Sequence, residues 1–208
     1  RWRFLNRYFR SPNLVGAIAP SSRALAVAVC EPYRRHQGPA AVIELGAGTG
    51  AITRYLGSIL RPTDTLDVCE IHNDFADILE RDVLSRPPLG GGVAEGRVRL
   101  LRHSMQELPA DAQYDYIISG LPLTAFELDD VVQVFEVIKR SLKPGGVFSY
   151  YEYMGLRRTS RALALGKPRR RLKGVSRFLT QQLRANEFER RAVLANFPPA
   201  YARHLRFS

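Results

Sequence analysis

The sequence is poor in the residues that would place it in several large classes. Two cysteines in 208 residues, Cys30 and Cys69, are too few for a disulfide scaffold. They stand apart, on apolar stretches and without metal-ligand spacing, so both are expected as buried thiols in a reducing cytoplasm. No metal site is expected. No apolar run approaches the roughly 20 residues of a membrane-spanning helix, no signal peptide is visible, and there is no internal repeat. The first residue is Arg1, so further chain before it is expected. The length suits one domain with extensions and a sizeable core.

Acidic residues are scarce at both ends. The net charge of +11 divides into +6 over residues 1–36, −7 over 37–154 and +12 over 155–208. An acidic middle between basic flanks suggests a polyanionic partner, either an anionic membrane or a nucleic acid.

The stretch Val42-Ile-Glu-Leu-Gly-Ala-Gly-Thr-Gly50 carries the strongest motif. An apolar run, Ala40 to Leu45, reads as a buried parallel strand. Gly46, Gly48 and Gly50 follow, then an amphipathic helix with Ile52, Tyr55, Leu56, Ile59 and Leu60 at helical spacing. Strand, glycine turn and helix open a doubly wound α/β nucleotide-binding domain, because glycines let the backbone turn sharply and approach a ligand. Gly46-x-Gly48-x-x-Ala51 also fits a dinucleotide fingerprint. Glu44, inside the motif, suits the cationic sulfonium of S-adenosylmethionine (SAM) better than a pyrophosphate. Ala47 completes the turn.

Along the chain, Arg1 to Arg10 alternates arginines with bulky apolar residues. As a helix, Trp2, Leu5 and Phe9 form one stripe, widened by Phe4 and Tyr8, with Arg3, Arg7 and Arg10 toward the other side. Such a helix suits a bilayer interface; packing on the core is the alternative, and the two are not exclusive. Ser21 or Ser22 can N-cap a helix from Arg23 to about Arg35. A second strand, Thr65–Ile71, ends at Glu70, about 20 residues past the glycines, where a carboxylate can take both ribose hydroxyls. A helix over Asn73–Leu84 and a loop over Pro87–Gly92 follow. A third strand, Val98–Leu101, leads to His103, Ser104 and Met105, the usual place for adenine contacts, with His103 read as solvated. Tyr114–Ser119 is a fourth strand before Gly120-Leu121-Pro122-Leu123, then a helix over Leu128–Leu142 and a fifth strand over Val147–Tyr153. Lys167, Arg169, Arg170 and Arg171 belong to a basic stretch that reads as a loop or an interfacial helix. A helix from Val175 to about Leu183, a strand from Arg190 to Asn196 and a turn at Phe197–Tyr201 complete the chain.

Glu44-x-Gly-x-Gly-x-Gly50, Glu70, Gly120-Leu-Pro122 and Leu142-Lys-Pro-Gly-Gly146 together resemble a class I SAM-dependent methyltransferase. Ser11-Pro, Val15-Gly-Ala-Ile-Ala-Pro-Ser-Ser22, Ser119-Gly-Leu-Pro-Leu123 and Asn196-x-Pro-Pro199 resemble, more narrowly, the bacterial phospholipid N-methyltransferases. The resemblance covers nearly the whole chain. It implies a Rossmann-like, mostly parallel seven-stranded sheet with helices on both faces and an N-terminal amphipathic helix. Residues 1–36 would be amphipathic and cap helices; residues 37–208 would be the methyltransferase domain, with a basic insertion at about 155–175. The cofactor would be SAM, released as S-adenosylhomocysteine, held by Glu44, Gly46, Ala47, Gly48, Gly50, Glu70, Ile71, Ser104, Met105 and Ser119. Two positions depart from the family: Ser104 stands where an Asp usually meets the adenine amine, and Tyr151-Glu152-Tyr153 adds an acid to an aromatic strand end.

The resemblance implies an enzyme working at the membrane surface, methylating the primary amine of phosphatidylethanolamine, or of ornithine lipid; a monomer on the inner face of the cell membrane is expected. Trp2, Phe4, Leu5, Tyr8, Phe9, Leu121, Pro122 and Arg169–Arg171 would meet lipid. Ser119, Glu152 and Tyr153 would surround the amine, whose in-line attack on the SAM methyl needs proximity above all. Tyr150, Tyr151 and Tyr153 suit either a cation–π pocket for methylated ammonium or the core. An RNA adenine methyltransferase fits the charge, but such enzymes carry a polar residue, Pro and a stacking ring after the fourth strand. Ser119 and Leu123 occupy those places, so nucleic acid is disfavoured. A non-catalytic binding module and an NAD-dependent enzyme are the remaining alternatives.

Overall fold

A computed structural model describes residues 22–109, 111, 113–154 and 167–207, without the side chains of 167–171. Trp2, Phe4, Leu5, Tyr8 and Phe9, and the side chains of Arg169–Arg171, lie outside the described residues.

Seven strands form one sheet in the order β3-β2-β1-β4-β5-β7-β6. Strands β1 (Ala41–Leu45), β2 (Thr65–Cys69), β3 (Val98–Leu101), β4 (Tyr114–Ser119) and β5 (Leu142–Tyr153) run parallel to one another. β7 (Ala200–Arg206) pairs antiparallel with both β5 and β6 (Glu187–Val193), so β6 runs in the same direction as β5. Before β1 come α1 (Arg23–Val29) and α2 (Glu31–Arg34); between strands lie α3 (Ala51–Ile59), α4 (Asn73–Leu79), α5 (Gly90–Ala94), α6 (Leu128–Ser141) and α7 (Lys167–Asn186).

Alternation along the strands sends side chains to two cores. Ile43, Leu45, Ile117, Phe148 and Tyr150 meet α6 and α7 on one face; Val42, Leu66, Val68 and Ile118 meet α1 and α3 on the other. α6 buries Val131, Val134, Phe135 and Ile138, the i, i+3, i+4, i+7 stripe of a helix packed on a sheet. Phe135 meets Phe148 and Phe178 edge-on, at 5.7 and 5.3 Å between centroids. Phe135 and Phe148 are fully buried, and each stabilises by roughly 1.5–3 kcal/mol relative to exposure. Asp129 and Asp130 in its first turn and Lys139 and Arg140 in its last match the helix dipole.

Several boundaries differ from the sequence expectation. The first helix breaks at Cys30 because Pro32 starts a new four-residue turn. Its beginning is as expected: Ser22 Oγ accepts from Leu25 N at 3.2 Å, a cap worth about 1 kcal/mol. The helix expected over Asn73–Leu84 is α-helical only to Leu79 and continues as a π turn, Glu80–Leu84. The expected loop at Pro87–Gly92 contains α5, where Gly92 packs so tightly that a Cβ would stand 2.7 Å from Val98 Cγ2. The last helix extends to 20 residues, and the C-terminal stretch forms β7.

Candidate active site

The ends of three strands are knitted together. Gly46 N donates to Cys69 O at 2.9 Å, and Gly120 N donates to Leu45 O at 2.9 Å, so the turn after β1 is fixed to β2 and β4. Gly46, Gly48 and Gly50 have φ of +69°, +57° and +85°, the left-handed region that only glycine enters at little cost. A Cβ on Gly46 would stand 2.5 Å from Leu121 Cδ2, and one on Gly50 would stand 2.9 Å from both Leu79 and Val83. Gly48 has open space where its Cβ would be, leaving a cradle for a ligand.

That cradle opens into a crevice at the carboxyl ends of β1, β2 and β4, where ligands of open α/β sheets bind. Leu45, Gly46 and Leu121 line one side, Cys69, Glu70 and Ile71 the floor, and His103, Ser104 and Met105 the far wall. Glu70 is 1% exposed. Its Oε2 accepts from Gly48 N and its Oε1 from His72 N, both at 2.8 Å. Burial pushes its pKa up while these two N–H groups pull it down. Each oxygen keeps a further lone pair for a diol. The apolar walls at Ile71 and Met105 fit a flat adenine ring.

Ser104 is the N-cap of a 3₁₀ turn, Met105–Glu107, accepting from Gln106 N while Glu107 Oε1 accepts from Ser104 N at 3.2 Å. This capping box orders that wall of the crevice. His103, expected as solvated, is part of the wall, and Cys69 Sγ donates to its carbonyl at 3.3 Å.

Glu44 lies elsewhere. It faces away from the crevice, beneath the turn, where Thr53 Oγ1 donates to its Oε2 at 2.6 Å. Its Oε1 is buried with no hydrogen-bond partner. Burial, opposed by the Thr53 hydrogen bond and reinforced by the charge of Glu70, raises its pKa to about 8. The carboxylate expected at the sulfonium is therefore set behind the glycines rather than on the crevice wall. Thr53 was not singled out in the sequence, although helical spacing places it on the buried side of α3 beside Ile52 and Leu56.

Ser119, expected at the site, is fully buried at the end of β4, in register with Leu45 and Tyr150. Its Oγ accepts from Leu121 N at 3.2 Å, closing the Ser119-Gly-Leu-Pro turn. Pro122 starts a 3₁₀ turn, Leu123–Ala125. Tyr153 ends β5, one strand beyond β4, with Tyr151 packed edge-on at 5.5 Å. Glu152 points to the opposite face from Tyr153 and accepts from Arg203 Nε at 3.1 Å, while Arg203 Nη1 donates to Glu187 at 2.7 Å. Glu152 thus belongs to the seam between β5 and β7. Among the described residues no group of three His, Cys, Asp or Glu is placed to hold a metal ion, and no helix is long and apolar enough to cross a membrane.

A parallel sheet whose one antiparallel strand is inserted next to the edge, with a glycine turn bonded to a buried acid at the end of the second strand, is the arrangement of a class I methyltransferase. Residues 42–146 match a family described as methyltransferase domain, and the chain belongs to this family of SAM-dependent methyltransferases. Over 148 residues it is 32% identical to an ornithine lipid N-methyltransferase of Singulisphaera acidiphila, covering 70% of this chain and 74% of the relative. Solved structures of similar fold include the O-methyltransferase TomG from Streptomyces achromogenes in complex with SAM (TM-score 0.61, 16% identity, 98% of this chain and 86% of that one). Another is the Burkholderia thailandensis 1,6-didemethyltoxoflavin-N1-methyltransferase with bound S-adenosylhomocysteine (TM-score 0.58, 17% identity, 99% and 85%). The open space at Gly48 and the acid at Glu70 fit SAM.

Proposed function

We propose that this enzyme methylates the primary amine of a membrane lipid, with ornithine lipid favoured over phosphatidylethanolamine. The observation that carries this reading is the 32% identity, over 70% of the chain, to a relative named for ornithine lipid N-methylation. The turn after β4 supports it: Ser119, Leu121, Pro122 and Leu123 offer no ring to stack on a base and suit a flexible amine on an apolar chain. The basic ends of the sequence suit an anionic bilayer at the inner face of the cell membrane.

SAM, when bound, supplies an activated methyl on a sulfonium. The chain's own residues must orient the amine and keep it neutral. A primary alkylamine has a pKa of roughly 10, so it must lose its proton on leaving water; desolvation against Leu121 and Leu45 favours the neutral form. Ser119 is fully buried and acts from beneath: its Oγ accepts from Leu121 N and fixes the turn against which the amine would lie. Tyr153, at the end of the neighbouring strand, would face the headgroup and stabilise methylated ammonium products by cation–π contact. Glu152, held by Arg203, sets the position of that strand end rather than taking the proton. Chemistry then rests on proximity and alignment.

The test is methyl transfer from radiolabelled SAM to ornithine-lipid vesicles, phosphatidylethanolamine vesicles and unmodified ribosomal RNA in parallel. Label in ornithine lipid supports the reading. Label in phosphatidylethanolamine alone keeps the lipid class and changes the headgroup. Label only in RNA, or in none of the three, overturns it.

A further inference from the structure

Asn196-Phe197-Pro198-Pro199, a segment of the sequence resemblance, has no part in the crevice. It forms the turn from β6 to β7. Because β6 runs parallel to β5, and Ala200 is in register with both Val193 and Tyr153, this turn stands at the carboxyl edge of the sheet. The crevice opens at the same edge. Phe197 is 88% exposed and Leu194 is 74% exposed, the two most exposed large apolar side chains among the described residues. The other two are less extreme: Phe188 is covered by the Arg206 guanidinium at 4.7 Å, and Val93 precedes β3 at the opposite edge.

The turn that displays Phe197 and Leu194 is tightly held. The Asn196 side chain is 4% exposed; its Nδ2 donates to Pro198 O at 2.7 Å and its Oδ1 accepts from Ser22 N at 3.0 Å. Met154 N, just past β5, donates to Pro199 O at 2.7 Å. The backbone is thus fixed on three sides while Phe197 and Leu194 face water. Two large apolar side chains three residues apart on one fixed turn, this exposed, make the turn a candidate interaction site. Exposed cations lie nearby in the chain: Arg23 follows Ser22, and Arg190, three residues before the end of β6, sits over the Tyr201 ring at 5.0 Å.

We propose that the β6–β7 turn is a bilayer anchor, inserting Phe197 and Leu194 among the acyl chains of an anionic membrane while Arg23 and Arg190 meet phosphates. This rests on the lipid-acceptor reading and adds what presses the mouth of the crevice against the substrate's own surface. An aromatic and a leucine between cations suit the bilayer interface, where apolar groups sink in and guanidinium groups remain at headgroup level.

The test uses the full chain and vesicles of equimolar phosphatidylcholine and phosphatidylglycerol, without any aminolipid. Replacing both Leu194→Ser and Phe197→Ser is expected to weaken vesicle binding by about tenfold per side chain, with SAM affinity and melting temperature unchanged. Phe197→Cys carrying a polarity-sensitive fluorophore should shift to the blue on vesicles; the same label at Val93→Cys should not. Unchanged vesicle binding by the double variant would overturn the anchor. So would a label at position 197 already shielded without lipid, whether by the chain itself or, in a concentration-dependent way, by a second copy. With ornithine lipid or phosphatidylethanolamine then added to the same vesicles, the two readings fail separately. Binding through the tip with no aminolipid methylated removes the acceptor and leaves the anchor. Equal methylation of vesicle lipid by wild type and double variant removes the anchor and leaves the acceptor.

Discussion

Gly120 approaches Gly46 so closely that a Cβ on Gly120 would stand 2.5 Å from the Gly46 carbonyl oxygen. The obstacle is backbone, and that backbone is fixed by the bond from Gly46 N to Cys69 O. No side-chain rotation can relieve the contact. Gly120→Ala is therefore expected to displace the turn on both sides of the crevice, at a cost of about 1–3 kcal/mol. SAM affinity should fall at least tenfold. Gly48→Ala is the contrast: its Cβ meets open space, so it strains only the backbone and crowds the cradle, and SAM binding should suffer more than stability. Calorimetric titration with SAM beside thermal melts separates the two. Equal, small losses in both variants would show that the contact between the turns does not shape the site.

Glu70 serves two purposes at once. It accepts from two backbone N–H groups, and it is the acid on the crevice floor. Glu70→Ala should leave both donors unpaired, costing about 1–3 kcal/mol, and remove two charge-assisted bonds to a ribose, weakening SAM by roughly a hundredfold. Glu70→Gln keeps one acceptor oxygen and should lie between. A Glu70→Ala protein that binds SAM as the wild type does would remove the diol role from this residue.

Glu44 links stability to pH. Its folded pKa of about 8 stands above the ordinary 4.5, so the native state holds a proton that the unfolded state has released. Stability must then fall as pH rises from about 4.5 to about 8, by at most about 1.4 kcal/mol per pH unit. His204 acts in the opposite sense and over a lower range, because burial lowers its pKa to about 4 from 6.5. Glu44→Gln should therefore flatten the decline specifically between pH 5 and 8, with Thr53 still able to donate to the amide oxygen. Urea melts of wild type and variant across that range measure it; parallel curves would place the Glu44 proton elsewhere.

The sheet and the cofactor turn were legible because they rest on local signals: apolar strands of four to six residues and glycines whose φ must be positive. Glu70 was legible by its distance from the turn. What was not legible depends on partners far along the chain. The last strand contains Arg203 and His204, both buried, and alternation alone assigns no strand to Tyr-Ala-Arg-His-Leu-Arg. Their partners, Glu152 and Glu187 for Arg203 and Ser149 for His204, appear only once the sheet is assembled. α5 begins with three glycines and reads as loop on propensity, yet the packing of Gly92 on Val98 leaves no room for a side chain. Glu44 was recognised as a site residue, but its depth beneath the turn and its hydroxyl partner nine residues on are tertiary facts.

Tyr153 and Glu152 are adjacent in sequence, and their substitutions should have different consequences. Glu152 lies in a buried ion-paired seam whose other member, Arg203, is also held by Glu187. Glu152→Gln should thus lower the melting temperature, with the methyl-transfer rate at saturating SAM and lipid changing less than threefold. Tyr153→Ala removes a ring at the strand end beside the acceptor side and should lower that rate by about tenfold or more, with SAM affinity unchanged, because Tyr153 is not on the cofactor crevice. Its effect should grow with each methyl added, since the cation–π contact favours the charged, methylated amine. Chromatographic separation of singly, doubly and triply methylated products gives the readout. A Glu152→Gln enzyme that folds normally yet loses transfer would return the acid to the chemistry. A Tyr153→Ala enzyme with an unaltered product ladder would return the ring to the core.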